Sequence, residues 1–254
     1  MRLRLMLALL FTTTAAAAQD VEVTGPMTTV IVPVVGRCLG ANDVRWRTEV
    51  ELRNDQRTEV NVVLTMPAAP DANFAMLPMD PGATLRIVDV AAALGVENGL
   101  SPLVVQTNSR RSVSIRATAY GTRGDEIFAP QPIAINYGSA YFPVRVLPDL
   151  SFSVDFRTNI GLANLGERKA DFTLALQRIA GRNLAVTRIS IQPNTLWHMS
   201  IQSAFPLITD GEHFTVVVET SAPQTYVYAS VIHNATNAAR FVDSLSGPPP
   251  AAAQ

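Results

Sequence analysis

Apolar and polar side chains alternate over two ten-residue stretches of this chain. In residues 44–53 every second position is apolar or a threonine, and the positions between them carry arginine or glutamate. Residues 154–163 repeat the same phase, with aspartate, arginine, asparagine, glycine and alanine at the intervening positions. A period of two is typical of a β-strand with one face in a core and the other in water. We therefore predict a strand in each stretch.

The two stretches belong to a duplication. Pro33 and Pro143 precede Arg47-Thr48 and Arg157-Thr158 by the same distance, so the offset is about 110 residues. The matching positions continue with Leu52, Asn54, Leu162 and Asn164. Because a slip of one residue turns every apolar side chain toward solvent, the shared phase is strong evidence for two copies of one folding unit.

Turn signals divide each copy into short strands. Polar turns follow the first strand of each copy, at Asn54-Asp55 and at residues 164–166, and predict hairpins. Residues 80–82 and Pro193-Asn194 predict a second turn in each copy. Single helical turns are predicted within residues 89–94 and 202–205, because neither segment is long enough for an independent helix.

These patterns predict an all-β protein with two tandem Ig-like antiparallel β-sandwich domains after a cleaved signal peptide. About seven strands are expected in each domain. The predicted segments are a signal peptide at 1–18, sandwich repeats at 28–129 and 138–243, a short link at 130–138, and a disordered or extended tail at 247–254.

The first residues have the features of a secretory signal. Arg2 and Arg4 precede an apolar stretch, and Ala16-Ala17-Ala18 provides small residues for cleavage before Gln19. The expected location is therefore secreted or periplasmic, and an uncleaved signal anchor is the alternative. No other apolar run approaches the roughly 20 residues of a membrane helix, so we expect no membrane span in the mature chain.

Charge and cysteine content exclude some classes of function. The chain has 20 basic and 21 acidic residues. Without Arg2 and Arg4 of the predicted signal, 18 basic residues remain and the formal charge is −3. Nucleic acid is therefore not expected as a partner. Cys38 is the only cysteine, so an internal disulfide is excluded. A buried thiol is the favoured interpretation, and an intermolecular disulfide or a reactive thiol stays open.

Several segments of both copies resemble a module that is common in secreted bacterial proteins. They are Trp46-Arg47-Thr48, Pro81-Gly82, Thr107-Asn108-Ser109, residues 156–164, Pro193 and residues 228–236. In that family, tandem Ig-like repeats occur alone or appended to exported enzymes, and most members have no assigned activity. The resemblance implies the fold and says little about function. The first copy departs from the pattern at residues 116–120, and Trp197-His198 replaces a more usual aliphatic pair.

Aromatic residues provide the candidate binding site. Such side chains bury a large area and carry a polar group, so an outward cluster can bind a sugar or a peptide. The alternative is that these aromatics cover a neighbouring domain or loop. The candidate binding residues are Tyr120, Trp197, Tyr226 and Tyr228.

No catalytic or metal-binding pattern is evident, and the sequence indicates no cofactor. The segment Asp210-Gly211-Glu212-His213 could bind a metal or transfer protons, but Asp-Gly favours a turn. Acidic residues at 43, 71 and 89 are interpreted as turn positions rather than as a calcium site. Asn234-Ala235-Thr236 matches a glycosylation acceptor, and a turn is preferred.

Three functions are compatible with this sequence. The favoured one is a non-enzymatic exported protein that acts as a binding, adhesion or spacer module of the cell envelope or extracellular space, with a protein or glycan as its partner. The alternative is a periplasmic protein resembling two-domain assembly chaperones, which capture partner strands. The least favoured is a hydrolase in which His198 or His213 converges with Ser200, Asp210 or Glu212.

Overall fold

The computed structural model describes residues 28–109, 113–128, 130–137, 142–178 and 182–246. The predicted signal peptide at 1–18 and the predicted tail at 247–254 lie outside these residues. The described part is all-β with antiparallel sheets, as predicted. Its strands fall into two groups, which we call the first unit (residues 28–137) and the second unit (residues 142–246).

The first unit contains ten strands. They are β1 (Thr28–Leu39), β2 (Arg45–Arg53), β3 (Val60–Thr65), β4 (Ala75–Met79), β5 (Thr84–Ile87), β6 (Gly99–Thr107), β7 (Ser114–Arg123), β8 (Glu126–Ile127), β9 (Gln131–Ile133) and β10 (Asn136–Tyr137). A single 3₁₀ turn, Ala41–Asp43, follows β1, and a helical turn, α1 (Val90–Ala93), follows β5.

The second unit contains nine strands. They are β11 (Val144–Phe152), β12 (Phe156–Asn164), β13 (Ala170–Gln177), β14 (Asn183–Ile191), β15 (Thr195–Ser200), β16 (Gly211–Thr220), β17 (Thr225–His233), β18 (Ala239–Asp243) and β19 (Leu245–Ser246). A helical turn, α2 (Ile201–Ala204), follows β15. Both helical turns lie where the sequence predicted them, and the side chains of Asp89 and Ser200 cap their first residues.

Both units have the same strand neighbours. The second unit has one sheet in the order β14-β13-β16-β11-β19 and another in the order β15-β12-β17-β18. The first unit has the corresponding orders β4-β3-β6-β1-β10 and β5-β2-β7-β9. The first unit differs in one respect, because its β1 also pairs with β2 through Arg37 and Arg47. This pairing joins the two layers into one ten-stranded sheet. The register of β1 shifts between Val32 and Val35, so its two ends pair with strands of different layers.

Each unit has its own hydrophobic core. In the second unit, Leu147 and Phe172 of one sheet and Ile160 and Val227 of the other are buried in one cluster, so the two sheets face each other across it. A corresponding cluster in the first unit combines side chains from its two layers. Most positions predicted to be inward in β2 and β12, including Leu52, Leu162 and Thr158, are buried, whereas Trp46 and Phe156 are partly buried.

The connection between the units is shorter than the sequence predicted. Residues 131–133 and 136–137, placed in the link by the sequence, form β9 and β10 and pair with β7 and β1. Ile133 is buried in the first core, which explains why this segment joins the sheet. Pro132 is tolerated because β9 is an edge strand.

Among the described residues, no helix has the length and apolar character needed to cross a membrane.

Candidate functional site

The central strands β12 and β17 of the four-stranded sheet of the second unit are largely buried on both faces. The inner face of this sheet carries the second core, and we call the opposite face the outer face. On the outer face, Ala163 of β12 and Tyr226 of β17 pack against Ile31 of the first unit. Phe241 of β18 packs against the first core. The outer face is therefore an interface between the two units.

A cavity of about 380 Å³ lies in this interface. Strands β12, β15, β17 and β18 of the second unit form one wall, and β1, β2, β6, β7 and β9 of the first unit form the other. The residues that carry the chemistry of the cavity are Cys38, Trp46, Arg47, Gln131, Arg157, Asn159, His198, Tyr228 and Ser230. A concave site of this size with a few polar groups on apolar walls has the dimensions of a small-molecule pocket.

A row of residues across three strands forms the second-unit wall. Gly161 of β12 lies opposite His198 on one side and Tyr228 on the other. A Cβ atom on Gly161 would lie 2.1 Å from the Tyr228 ring, so only glycine lets this ring lie across β12. The ring reaches His198, where the tyrosine hydroxyl and the imidazole Nδ1 are 2.9 Å apart. Its other neighbour, Phe241, is stacked at 5.4 Å between ring centroids.

Burial keeps the titratable groups of this row neutral. It lowers the pKa of His198 to about 4 and raises the pKa of Tyr228 well above its usual value. Burial also raises the pKa of the half-buried Cys38 thiol, which lies near enough to Tyr228 to raise the tyrosine pKa further. At neutral pH the imidazole is therefore a weak base and the thiol a weak nucleophile.

Among the described residues that line the cavity, arginine is the only charged type. Arg47 and Arg157 occupy equivalent positions in the two copies, and each unit contributes one of them. The Arg157 guanidinium donates to the side-chain oxygens of Asn234 and Asn237, both at 2.9 Å. Burial lowers its pKa, because these neutral amides do not replace the lost hydration of the charge.

The side-chain amide of Gln131 lacks a partner. Gln131 is 7% exposed, and its Nε2 is buried without a hydrogen-bond partner in the described structure. An unsatisfied buried donor costs about 1–3 kcal/mol, so such groups are rare and require an explanation. Gln131 is one of the residues that line the cavity.

The other repeated residues of the motif have structural roles. The hydroxyl of Thr48 accepts a hydrogen bond from the Gly36 amide, and that of Thr158 donates to the Ser151 carbonyl. The motif residues that line the cavity include Arg47, Arg157, Trp46, Asn159, Tyr228 and Ser230.

The four aromatic residues predicted to bind a ligand do not form one outward platform. Trp197 lies on the inner face of β15 and packs against the second core. Tyr226 is buried against Ile31. Tyr120 donates its hydroxyl proton to the Val88 carbonyl of the first unit. Tyr228 alone lines the cavity. Tyr226 and Tyr228 lie on the outer face of β17, where the first unit covers them, and this corresponds to the alternative in which the aromatics cover a neighbouring domain.

The acidic segment 210–213 is the start of a strand rather than a simple turn. β16 begins at Gly211, and its pairing with β11 is irregular there. His213 Nδ1 lies 2.7 Å from Asp149 Oδ1, and Arg240 lies 3.1 Å from the other carboxylate oxygen. All three side chains are exposed, so these ion pairs belong to the surface.

Of the hydrolase candidates, Asp210, Glu212 and His213 line one surface depression, whereas Ser200 and His198 lie elsewhere. Ser200 accepts from the Ser203 amide and caps α2. His198 bonds Tyr228, and His213 bonds Asp149. Within the described ranges, no group of three or more His, Cys, Asp or Glu side chains is placed to hold a metal ion.

The sequence contained a signal for the buried interface. The outward positions of β2 carry Glu49, Glu51 and Arg53, whereas the equivalent positions of β12 carry Asn159, Gly161 and Ala163. When the outward positions of a strand lack charged residues, another surface is expected to cover that face of the strand. Gln131 gave no comparable signal, because it lies in a segment that was assigned to the link.

In comparisons with known proteins, no family model, no curated protein and no solved structure matches this chain.

Proposed function

We propose that this chain is a non-enzymatic exported binding module made of two tandem Ig-like β-sandwiches, and that it holds its ligand between them. The observation that carries the proposal is the cavity whose walls come from both units. A ligand at this position contacts both units at once and stabilises their arrangement. The ligand is either a free small molecule or a terminal group of an envelope glycan or protein that enters the cavity.

The chemistry of the cavity favours binding over catalysis. Hydrolysis at this site needs an activated nucleophile or a base, and burial works against both. Cys38 is held as a thiol because its pKa is raised, and His198 is a poor base because its pKa is about 4. Export is supported by the pattern of residues 1–18.

A role as an assembly chaperone is the alternative. In its favour, β14 is a nine-residue strand at a sheet edge, and its Val186 side chain is 55% exposed. A free edge of this kind can pair with an added strand. However, β14 belongs to the sheet opposite the one that lines the cavity, so the free edge and the two cavity arginines do not form one continuous surface. Binding in the cavity is therefore favoured.

Tryptophan fluorescence tests this function directly. The chain has two tryptophans, and only Trp46 lines the cavity. A Trp197→Phe variant then reports on the cavity alone. We expect a saturable change in Trp46 emission with at least one class in a panel of octanoate, octanamide, octylammonium, octyl glucoside, acetate and short peptides.

Two controls make the result specific. A Trp46→Phe variant, which keeps the core-facing Trp197, is expected to show no change in emission. A Ser230→Leu variant fills the cavity and is expected to abolish binding while the thermal melting temperature changes little. If no member of the panel binds at millimolar concentration, or if Ser230→Leu binds as well as its parent, the proposed function is wrong.

A further inference from the structure

The charge of the cavity wall is unbalanced. The wall contains the guanidinium groups of Arg47 and Arg157, and no aspartate or glutamate is among the described residues that line it. His198 does not alter this balance, because its pKa of about 4 leaves it neutral. A partly desolvated site with a net positive charge attracts anions.

Neither arginine is fully neutralised by the protein. Arg157 is held by the amide oxygens of Asn234 and Asn237, and no carboxylate contacts it within the described part of the chain. Arg47 lies 4.0 Å from Asp89, which is closer to Arg37, at 3.5 Å. One carboxylate is therefore shared by two guanidinium groups that lie directly opposite each other on β1 and β2.

A second depression beside the cavity extends the positive surface. It shares Cys38, Trp46 and Arg47 with the cavity and adds Arg37, Arg45, Glu97 and Asn98. Three arginines with one glutamate surround this depression. An anion that approaches from this side is drawn toward the cavity by the field of these groups.

The cavity wall contains charged and amide hydrogen-bond donors. The unpartnered Nε2 of Gln131 adds an amide donor to the two guanidinium groups. An oxyanion accepts several hydrogen bonds at once, whereas an ammonium group accepts none and a hydroxyl group donates as well. The donor set therefore fits a carboxylate better than it fits a cation or a neutral sugar.

Beside these donors and the polar side chains of Thr48, Asn159 and Ser230, the wall has a large apolar part. Its side chains are Val34, Leu100, Ile133, Ile232 and Phe241, with the indole of Trp46. A small inorganic anion would satisfy the arginines and leave these surfaces in contact with water. An occupant with an apolar body removes that surface from water and gains about 25 cal/mol per Å² buried.

We propose that the cavity binds a small amphipathic carboxylate, with its carboxylate between Arg47 and Arg157, an oxygen accepting from Gln131, and its apolar body against Trp46 and Phe241. The proposal rests on the proposed function, since it assigns a ligand class to the same cavity. The cavity is therefore expected to bind molecules of the same shape with affinities that depend on the charge of the head group.

Octanoate, octanamide and octylammonium test the charge, because they share a chain length and differ in the head group. Acetate tests the apolar body. In the Trp197→Phe background we expect octanoate to bind at least about tenfold more tightly than each of the other three, measured by Trp46 emission and by calorimetry.

Variants assign the effect to the named groups. Arg157→Gln and Arg47→Gln are each expected to weaken octanoate binding by about tenfold or more and to leave octanamide binding within about twofold. Gln131→Leu is expected to weaken octanoate binding without loss of stability, because it removes an unsatisfied donor. Arg116→Gln is the matched control, since this exposed arginine pairs with Glu51 away from the cavity.

The outcomes separate the two proposals. Equal binding of octanoate and octanamide, tighter binding of octylammonium or octyl glucoside, or unchanged octanoate binding in both arginine variants overturns the ligand class and leaves the cavity function standing. Acetate binding as tight as octanoate overturns the apolar body. Failure of every probe overturns the cavity function itself. If an arginine variant melts at a lower temperature than Arg116→Gln, its octanamide affinity decides whether the cavity is intact.

Discussion

Asn54 and Asn164 occupy equivalent positions and organise the same turn in each unit. Asn54 donates to the carbonyls of Thr58 and Met79, both at 2.9 Å. Asn164 donates to those of Arg168 and Ile191 at 2.8 and 3.1 Å. Both asparagines are fully buried. Their repetition in the sequence is therefore explained by backbone groups that only a short amide side chain satisfies at these positions.

Replacement of Asn164 by alanine is expected to destabilise the protein by about 2–3 kcal/mol, because two buried carbonyls lose their donor and a cavity is left. Chemical denaturation at neutral pH measures the change. Asn183→Ala is the matched control, since that side chain bonds Gln177 at the surface and its loss is expected to cost less than about 0.5 kcal/mol. Equal destabilisation by the two substitutions would refute the structural role of Asn164.

His198 makes stability depend on pH. Its folded pKa of about 4 is below the value of about 6.5 expected in the unfolded chain. Between these values the unfolded state binds a proton and the folded state does not, so stability falls as the pH drops from 6.5 toward 4. The full effect of such a shift is about 3 kcal/mol.

A His198→Asn variant is expected to lose this part of the pH dependence, because asparagine retains a polar group near Nδ1 and does not titrate. The measurement is the free energy of unfolding at pH 7 and at pH 4.5, in the variant and in its parent. His213→Asn, at an exposed site, is the control and is expected to leave the difference between the two pH values within about 1 kcal/mol. A parent and a His198→Asn variant with the same pH dependence would contradict this account.

At the scale of elements, the sequence predicted the features that depend on local pattern. The alternating strands β2 and β12, the turns after them and the two helical turns follow from period and turn chemistry, which depend on neighbouring residues. Local sequence pattern does not reveal the bulge that lets β1 pair with strands of both layers. This double pairing depends on β2 having a free edge at residues 45–47, beyond its pairing with β5, which is a tertiary condition.

The candidate site was harder to predict for the same reason. Its groups come from separate segments, and the sequence contains no local motif that unites Gln131 with Arg157. The aromatic hypothesis included Tyr228 but left open what covers it, because alternation alone distinguishes two faces of a strand and does not say what lies over the second face. The uncharged positions of β12 were the missing information.

At the scale of the whole molecule, the interface determines whether the two units unfold together. Ala163 is fully buried, packs against Ile31 of the first unit beside its cross-strand neighbour Tyr226, and points away from the second core. The short connection leaves the units adjacent even when the interface is broken. Contacts of this kind make two units behave as one cooperative unit only while the interface is intact.

Ala163→Glu tests this coupling, because a carboxylate buried against Ile31 is costly unless the units separate. We expect calorimetry to show one unfolding transition for the parent and two for the variant, and we expect the variant to lose the Trp46 response to ligand. Ala175→Glu introduces the same charge on a half-exposed position of β13 and is expected to retain one transition. Because Ala163 does not contact the second core, each separated unit should keep its own melting behaviour. A single transition with intact ligand binding in Ala163→Glu would mean that the interface neither couples the units nor forms the binding site.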